Sequence, residues 1–192
     1  GLAHIGVNAV EAAAEIIAFL KAQARRYRDF GPYDAEFVPS YTTVHTGVVR
    51  GGTALNIVPK YCEFEAEIRH LPSDDPDEVF NLMHAYIESE ILPEMRRVDP
   101  NASIEWEEMS SIPALDTSDS QLIELVQTLC RTTQSGCVSF GTEGGLFEGI
   151  GIPAVVCGPG YIDQAHKPNE FIEMNQIVQC ERFIDSLLDH LR

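Results

Sequence analysis

Tyr61-Cys-Glu-Phe-Glu-Ala-Glu-Ile-Arg-His70 alternates apolar and charged residues without a break. Cys62, Phe64, Ala66 and Ile68 share one face, and Glu63, Glu65, Glu67 and Arg69 share the other. Successive side chains of a strand point to opposite faces, so this is a strand with one face buried and one in water. Such half-buried strands belong to antiparallel sheets, whereas strands of parallel sheets are covered on both faces. The stretch therefore sets the first part of the chain in the α+β class.

Reading outward, residues 41–50 are rich in Thr and Val and form a second strand, which Gly51-Gly52 breaks. Residues 8–28 have the period of an amphipathic helix, with Val10, Ala13, Ala14, Ile17, Leu20 and Ala24 on one face. Asn8 caps it, Glu11 completes a capping box, and Gly31-Pro-Tyr-Asp34 ends it. Residues 76–97 form a second helix that carries Val79, Leu82, Met83, Tyr86 and Ile91. Residues 103–108 form a short strand with Ile104 and Trp106 on one side. The order α-β-β-α-β is a ferredoxin-like β-α-β-β-α-β sandwich without its first strand.

Residues 110–119 (SSIPALDTSD) are a polar, Pro-containing linker and mark a domain boundary. Beyond them the pattern becomes α/β: a helix over 120–132, Val138-Ser-Phe140 leading into Gly141-Thr-Glu-Gly-Gly145, and a short helix over 146–149. A buried strand over 152–157 and a last helix within 169–191 follow. One or two strands in about 80 residues make half of a doubly wound domain. The expected division is residues 1–112 and residues 113–192.

The 192 residues carry a net charge of −17, with 44% hydrophobic and 22% charged side chains. That excess of negative charge argues against nucleic acid and anionic membranes as partners, since both need a basic surface. No apolar run approaches the ~20 residues that span a bilayer. Residues 1–20 lack a basic leader and a continuous apolar segment, so no secretory signal is expected. The five cysteines are odd in number, widely spaced and form no Cys-x-x-Cys, so disulfides are not expected and a reducing cytoplasm is.

The candidate functional residues each have a plain reading beside the chemical one. His166 follows the Gly158-Pro-Gly160 loop, which itself follows the apolar run 152–157. Ligands of open α/β sheets gather at the carboxyl ends of strands, so His166 is placed to bind a metal or move a proton; the plain reading is a polar loop residue. Gly141–Gly145 could present backbone N–H groups to an anion or simply make a tight connection. Glu143 is a base, a ligand or a solvated carboxylate. Asn56 lies between two strands, where Asn serves turn geometry. Arg69 is a cross-strand ion-pair partner of its neighbouring glutamates or a bidentate clamp for a carboxylate. No GxSxG elbow, HExxH or P-loop is present, so the chain carries no complete catalytic set of those kinds.

Seven segments, taken together and in order, resemble one family. They are Gly6-Val-Asn-Ala-Val-Glu-Ala-Ala13, Tyr41-Thr-Thr-Val-His-Thr-Gly47, Gly51-Gly-Thr-Ala-Leu-Asn-Ile-Val-Pro59, Glu67-Ile-Arg-His-Leu-Pro72, Gly141-Thr-Glu-Gly-Gly-Leu-Phe147, Cys157-Gly-Pro-Gly160 and Ala165-His-Lys-Pro168. The family is that of the dinuclear-zinc amidohydrolases, which includes acetylornithine deacetylase, succinyl-diaminopimelate desuccinylase, aminoacylase and carboxypeptidase G. The second and third segments favour its ornithine branch.

The resemblance implies a homodimeric cytoplasmic enzyme with an α/β catalytic domain that binds two zinc ions, or cobalt in their place. An inserted α+β lid forms the dimer. Residues 1–112 resemble that lid, and residues 113–192 the returning C-terminal part of the catalytic domain. By the same resemblance His166 is a ligand of one metal. Asn56 and Arg69 bind the carboxylate of a small N-acyl amino acid, and Gly158 and Gly160 line the substrate loop. The implied reaction is hydrolysis of N-acetyl-L-ornithine to L-ornithine and acetate, a step of arginine biosynthesis. A zinc-bound water, deprotonated by a glutamate, attacks the amide carbonyl.

The family's other metal ligands and its general-base glutamate precede the lid, so no catalytic residue of that set is expected in residues 1–192. One histidine cannot hold a catalytic zinc that needs about three protein ligands. The chain is therefore expected to be inactive by itself. The alternatives are a non-catalytic dimerisation or interaction module, or a related N-acyl-amino-acid amidohydrolase.

Overall fold

The computed structural model of the chain describes residues 3–117, 119–138, 140–165 and 167–192. It divides into two compact units, Gly1–Ser111 and Ile112–Arg192. The first unit is a mixed α+β body built on α1 (Ala9–Phe30), β1 (Thr43–Gly51), β2 (Cys62–Arg69), α2 (Glu78–Tyr86) and α3 (Leu92–Val98).

Helix α1 begins where the sequence places its cap. Asn8 is extended, and its side-chain oxygen accepts from the backbone N–H groups of Val10 and Glu11 at 3.1 and 3.2 Å. Two donors that open every helix unsatisfied are thereby paired. Gly31 closes the helix at φ +72, a conformation that costs a glycine little, and its N–H returns to the Tyr27 carbonyl at 2.9 Å. The buried stripe is Ala13, Ile16, Leu20 and Tyr27. It differs from the expected face at Ala14, which is exposed, and at Ile16, which is buried. Alanines are apolar enough to fit either side of the stripe, so the helical period alone does not select between them.

Strands β1 and β2 pair antiparallel, from Thr43 opposite Arg69 to Gly51 opposite Cys62. The register steps between Thr46 and Val48, leaving Gly47 as a bulge. Because side chains alternate with period two, this extra residue reverses the phase of β1. Val44 and Thr46 face Ile68 and Ala66, but beyond the bulge Val49 and Gly51 face Phe64 and Cys62. Gly51 lies against α1: a Cβ there would stand 2.7 Å from Cys62 Sγ and 3.0 Å from Val10 Cγ2.

The expected single helix over 76–97 is two α-helices joined by a π segment, Ile87–Ile91. Pro93 has no N–H to donate one turn back, and the wider π turn accommodates the gap. It also brings Ile87, Ile91 and Leu92 together into the core. These three pack with Ile16, and a second cluster joins Leu20, Tyr27, Val44 and Val79. Phe64 and Met83 touch both clusters. Leu82, expected on the apolar face, is 38% exposed.

Residues 103–108 do not form the expected strand. A strand requires a partner for its N–H and C=O groups, and among the described residues the sheet contains β1 and β2 alone. Trp106 instead stands edge-on to Phe80 with ring centroids 4.5 Å apart, and Ile104 packs on the Ile16 cluster. The α+β class stands as a two-stranded sheet with helices.

The second unit contains α4 (Ser120–Cys130), α5 (Gly144–Gly149) and α6 (Met174–His190). Asp119 caps α4 by accepting from Leu122 N–H at 2.9 Å. Residues 152–157 do not form the expected buried strand and pair with no strand among the described residues. The segment is tied instead through the Thr117 hydroxyl, which donates to the Ala154 carbonyl. Helices α4 and α6 pack on each other, yet neither holds a fully buried residue.

Candidate functional site

The hairpin carries two of the candidate substrate contacts. Its outer face presents Thr43, His45, Val48 and Arg50 from β1, against Arg69, Glu67, Glu65 and Glu63 from β2. Arg69 Nη2 pairs with Glu67 Oε2 at 3.2 Å, along its own strand rather than across the sheet. Arg50 pairs across the sheet, its Nη1 reaching Glu65 Oε1 at 2.8 Å and Glu63 Oε1 at 3.1 Å. The bulge at Gly47 turns Arg50 to this face, a displacement that the alternating pattern of β2 does not disclose. Those two carboxylates, Glu65 first, raise the Arg50 guanidinium above its ordinary value. Both arginines are more than half exposed, so water screens these pairs and they contribute little to stability.

Asn56 is exposed in the connection between Gly51 and Cys62, where Ile57 N–H returns to the Ala54 carbonyl at 3.2 Å. That connection is held to the start of α1. Pro59 accepts from Ala9 N–H at 3.0 Å, and a Cβ at Gly6 would lie 3.2 Å from Val58 Cγ1. Asn56 and Arg69 therefore mark opposite ends of the β1–β2 ladder. At ~3.3 Å per residue the length of β2 separates these ends by roughly 20 Å.

In the second unit Gly158 is exposed, and a Cβ there would meet nothing within 4 Å, whereas Gly160 adopts φ +96 beside Ile172. The loop is anchored to α6 by Gln176 Nε2, which donates to the Tyr161 hydroxyl at 2.9 Å. His166 lies outside the described residues. Among the described residues, no group of three His, Cys, Asp or Glu side chains is arranged to hold a metal ion. These residues by themselves do not fit a zinc centre.

The Gly141–Gly145 turn is tightly packed at its second half. A side chain at Gly145 would run into the Pro113 carbonyl, and one at Gly144 would stand 2.7 Å from Leu115 Cδ2. Glu143 is exposed at the start of α5. Sequence spacing also hides a proximity of thiols. Cys130 and Cys157 are 27 residues apart, but their sulfurs are 3.4 Å apart. Burial first, and then the Cys130 sulfur, push the Cys157 thiol up to about 11.

Residues 1–95 match the peptidase dimerisation domain. The chain is 30% identical over 158 residues to the acetylornithine deacetylase of Myxococcus xanthus, covering 82% of this chain and 40% of that protein. It is 31% identical over 186 residues to the acetylornithine deacetylase of Yersinia pseudotuberculosis serotype O:1b (strain IP 31758), covering 96% of this chain and 46% of that protein. The acetylornithine deacetylase of Photorhabdus laumondii is 29% identical over a similar span. The chain thus spans less than half the length of the curated relatives it matches. Residues 1–95 are thus similar to the peptidase dimerisation domain, and the chain as a whole is similar to part of the acetylornithine deacetylases.

Proposed function

We propose that this chain is the C-terminal portion of a metal-dependent deacetylase that hydrolyses N-acetyl-L-ornithine to L-ornithine and acetate in the cytoplasm. The observation that carries the reading is the alignment to proteins of that name, which runs through both units rather than the dimerisation domain alone. On this reading residues 1–112 are the lid, ferredoxin-like in layout, and pair two subunits. Residues 113–192 return to complete the catalytic domain.

The exposed apolar surface of the second unit supports this assignment. Ile152, Val156, Ile184 and Leu188 are each about half exposed, from 48 to 50%. Soluble bodies rarely leave so much apolar surface uncovered, and helices of an α/β domain cover theirs against a sheet. The rest of the catalytic domain would provide that cover.

Asn56 and Arg69 are assigned to the substrate carboxylate. The Arg69–Glu67 ion pair is exposed and therefore weak, and a guanidinium can grip a ligand carboxylate bidentately. Asn56 stands at the other end of the hairpin. The two act on one substrate molecule only if the ends of the hairpin serve different subunits of the dimer or the 52–61 connection moves. Gly158 and Gly160 are assigned to the substrate loop, and His166 to one ion of a zinc or cobalt pair. The remaining metal ligands and the general base lie outside residues 1–192, so no chemical step is assigned to the described residues.

Sedimentation and metal analysis test this reading against that of a self-sufficient dimerisation module. The chain should sediment as a dimer without stoichiometric zinc, and should gain zinc when co-expressed with the N-terminal portion of the Yersinia pseudotuberculosis relative. A monomer, or a folded complex that never takes up metal, contradicts it.

A further inference from the structure

Cys130 ends α4, and Cys157 immediately precedes the Gly158–Gly160 loop. Their Sγ atoms are 3.4 Å apart. A disulfide needs about 2.05 Å, so closure requires an approach of only ~1.4 Å. Cys157 is exposed and Cys130 half-buried, so small reagents can reach the pair. Cys180 on α6 is near enough to influence Cys157 electrostatically, which places three thiols in one region of the second unit.

We propose that Cys130 and Cys157 are a redox pair that closes to a disulfide and fixes the end of α4 to the entry of the Gly158–Gly160 loop. The oxidant is a low-molecular-weight disulfide. One cysteine, as thiolate, attacks it, forms a mixed disulfide and releases one small thiolate. The other cysteine, deprotonated in turn, attacks the protein sulfur of the mixed disulfide and releases the second small thiolate. The two protons of the protein thiols pass through solvent to those thiolates. Two protein thiols are oxidised and one small disulfide is reduced to two thiols. The link would join residues that the fold already holds in contact, and it would restrict the loop to one position. The inference rests on the second unit alone and stands whatever reaction the longer protein performs.

The test is oxidation of the chain with oxidised glutathione, followed by peptide mapping under non-reducing conditions. The expected product is a Cys130–Cys157 cross-link that retains no glutathione and is reversed by dithiothreitol, with Cys62 still a thiol. In Cys157→Ser, Cys130 should instead keep glutathione as a mixed disulfide. The inference is overturned if both cysteines stay reduced, if each keeps its own glutathione, or if Cys157 links to Cys180. The mapping of the unmutated chain decides the matter even if the variant does not fold.

Discussion

Tyr27 donates its hydroxyl to Glu78 at 2.7 Å, joining two residues 51 positions apart and fastening the last turn of α1 to the first residue of α2. Arg26 holds the other carboxylate oxygen at 2.8 Å. Glu78 sits where a negative charge is favoured, at the N-terminal end of a helix. The Tyr27 ring is among the most buried in the chain, so this contact orients both helices around the Leu20–Val44–Val79 cluster.

Tyr27→Phe should keep the packing and lose the hydrogen bond to a charged acceptor. The expected cost is about 1.5–3 kcal/mol in urea unfolding. Its pH dependence has two limbs. The Tyr27 and then the Arg26 hydrogen bonds hold Glu78 below its ordinary range, so that stability is present above about pH 4.3 and is lost as pH falls through the lower folded value. Burial and then Glu78 push the Tyr27 hydroxyl up to about 12, so its share is present below about pH 10 and is lost as pH rises through 12. The difference between wild type and Tyr27→Phe should be flat near neutrality and shrink on both sides.

Gly51→Ala should overpack the face between β2 and α1, at a cost of about 1–3 kcal/mol. The first atom met is Cys62 Sγ, so adding Cys62→Ala should recover part of the loss. A double-mutant cycle with strictly additive costs would show that the two positions do not touch in this way.

The glycines of the second unit should separate by environment. Gly145→Ala meets the Pro113 backbone and should destabilise by more than about 2 kcal/mol, as backbone clashes in a packed site do. Gly158→Ala meets open space and should change stability by less than about 0.5 kcal/mol. Thermal unfolding of the two variants compares them directly.

Core truncations should distinguish a finished core from an unfinished one. Leu20→Ala removes a 3% exposed side chain and should cost about 2–5 kcal/mol. Leu188→Ala removes a 50% exposed one and should cost less than about 1 kcal/mol in this chain. In a protein that supplies the rest of the catalytic domain, the Leu188 cost should rise toward the core value.

The parts of the fold legible in the sequence are those that local chemistry decides. The alternation of residues 62–69, the Asn8 cap and the Gly31 stop each act within a few residues of themselves, and each is found, except that Ala66 of the expected buried face is exposed. What local pattern cannot supply is a partner. Residues 103–108 and 152–157 have the composition of strands, but among the described residues they join no ladder and form no regular element. The bulge at Gly47 and the π turn before Pro93 depend on how side chains meet the core, and both shift residues by one position. The candidate site was legible through ordered segments rather than geometry. Asn56 and Arg69 keep a spacing of thirteen residues, yet the hairpin carries them to its opposite ends. The Cys130–Cys157 proximity arises from tertiary packing across 27 residues, and cysteine spacing gives no sign of it.

The proposed role of residues 1–192 is to complete an N-acetyl-ornithine hydrolase. Its most direct test is acetate release from N-acetyl-L-ornithine by this chain co-expressed with the N-terminal portion of the Yersinia pseudotuberculosis acetylornithine deacetylase. The expected result is hydrolysis that a chelator abolishes, zinc restores, and His166→Ala or Arg69→Ala removes without unfolding the complex. A folded, zinc-loaded complex that leaves N-acetyl-L-ornithine intact would contradict it.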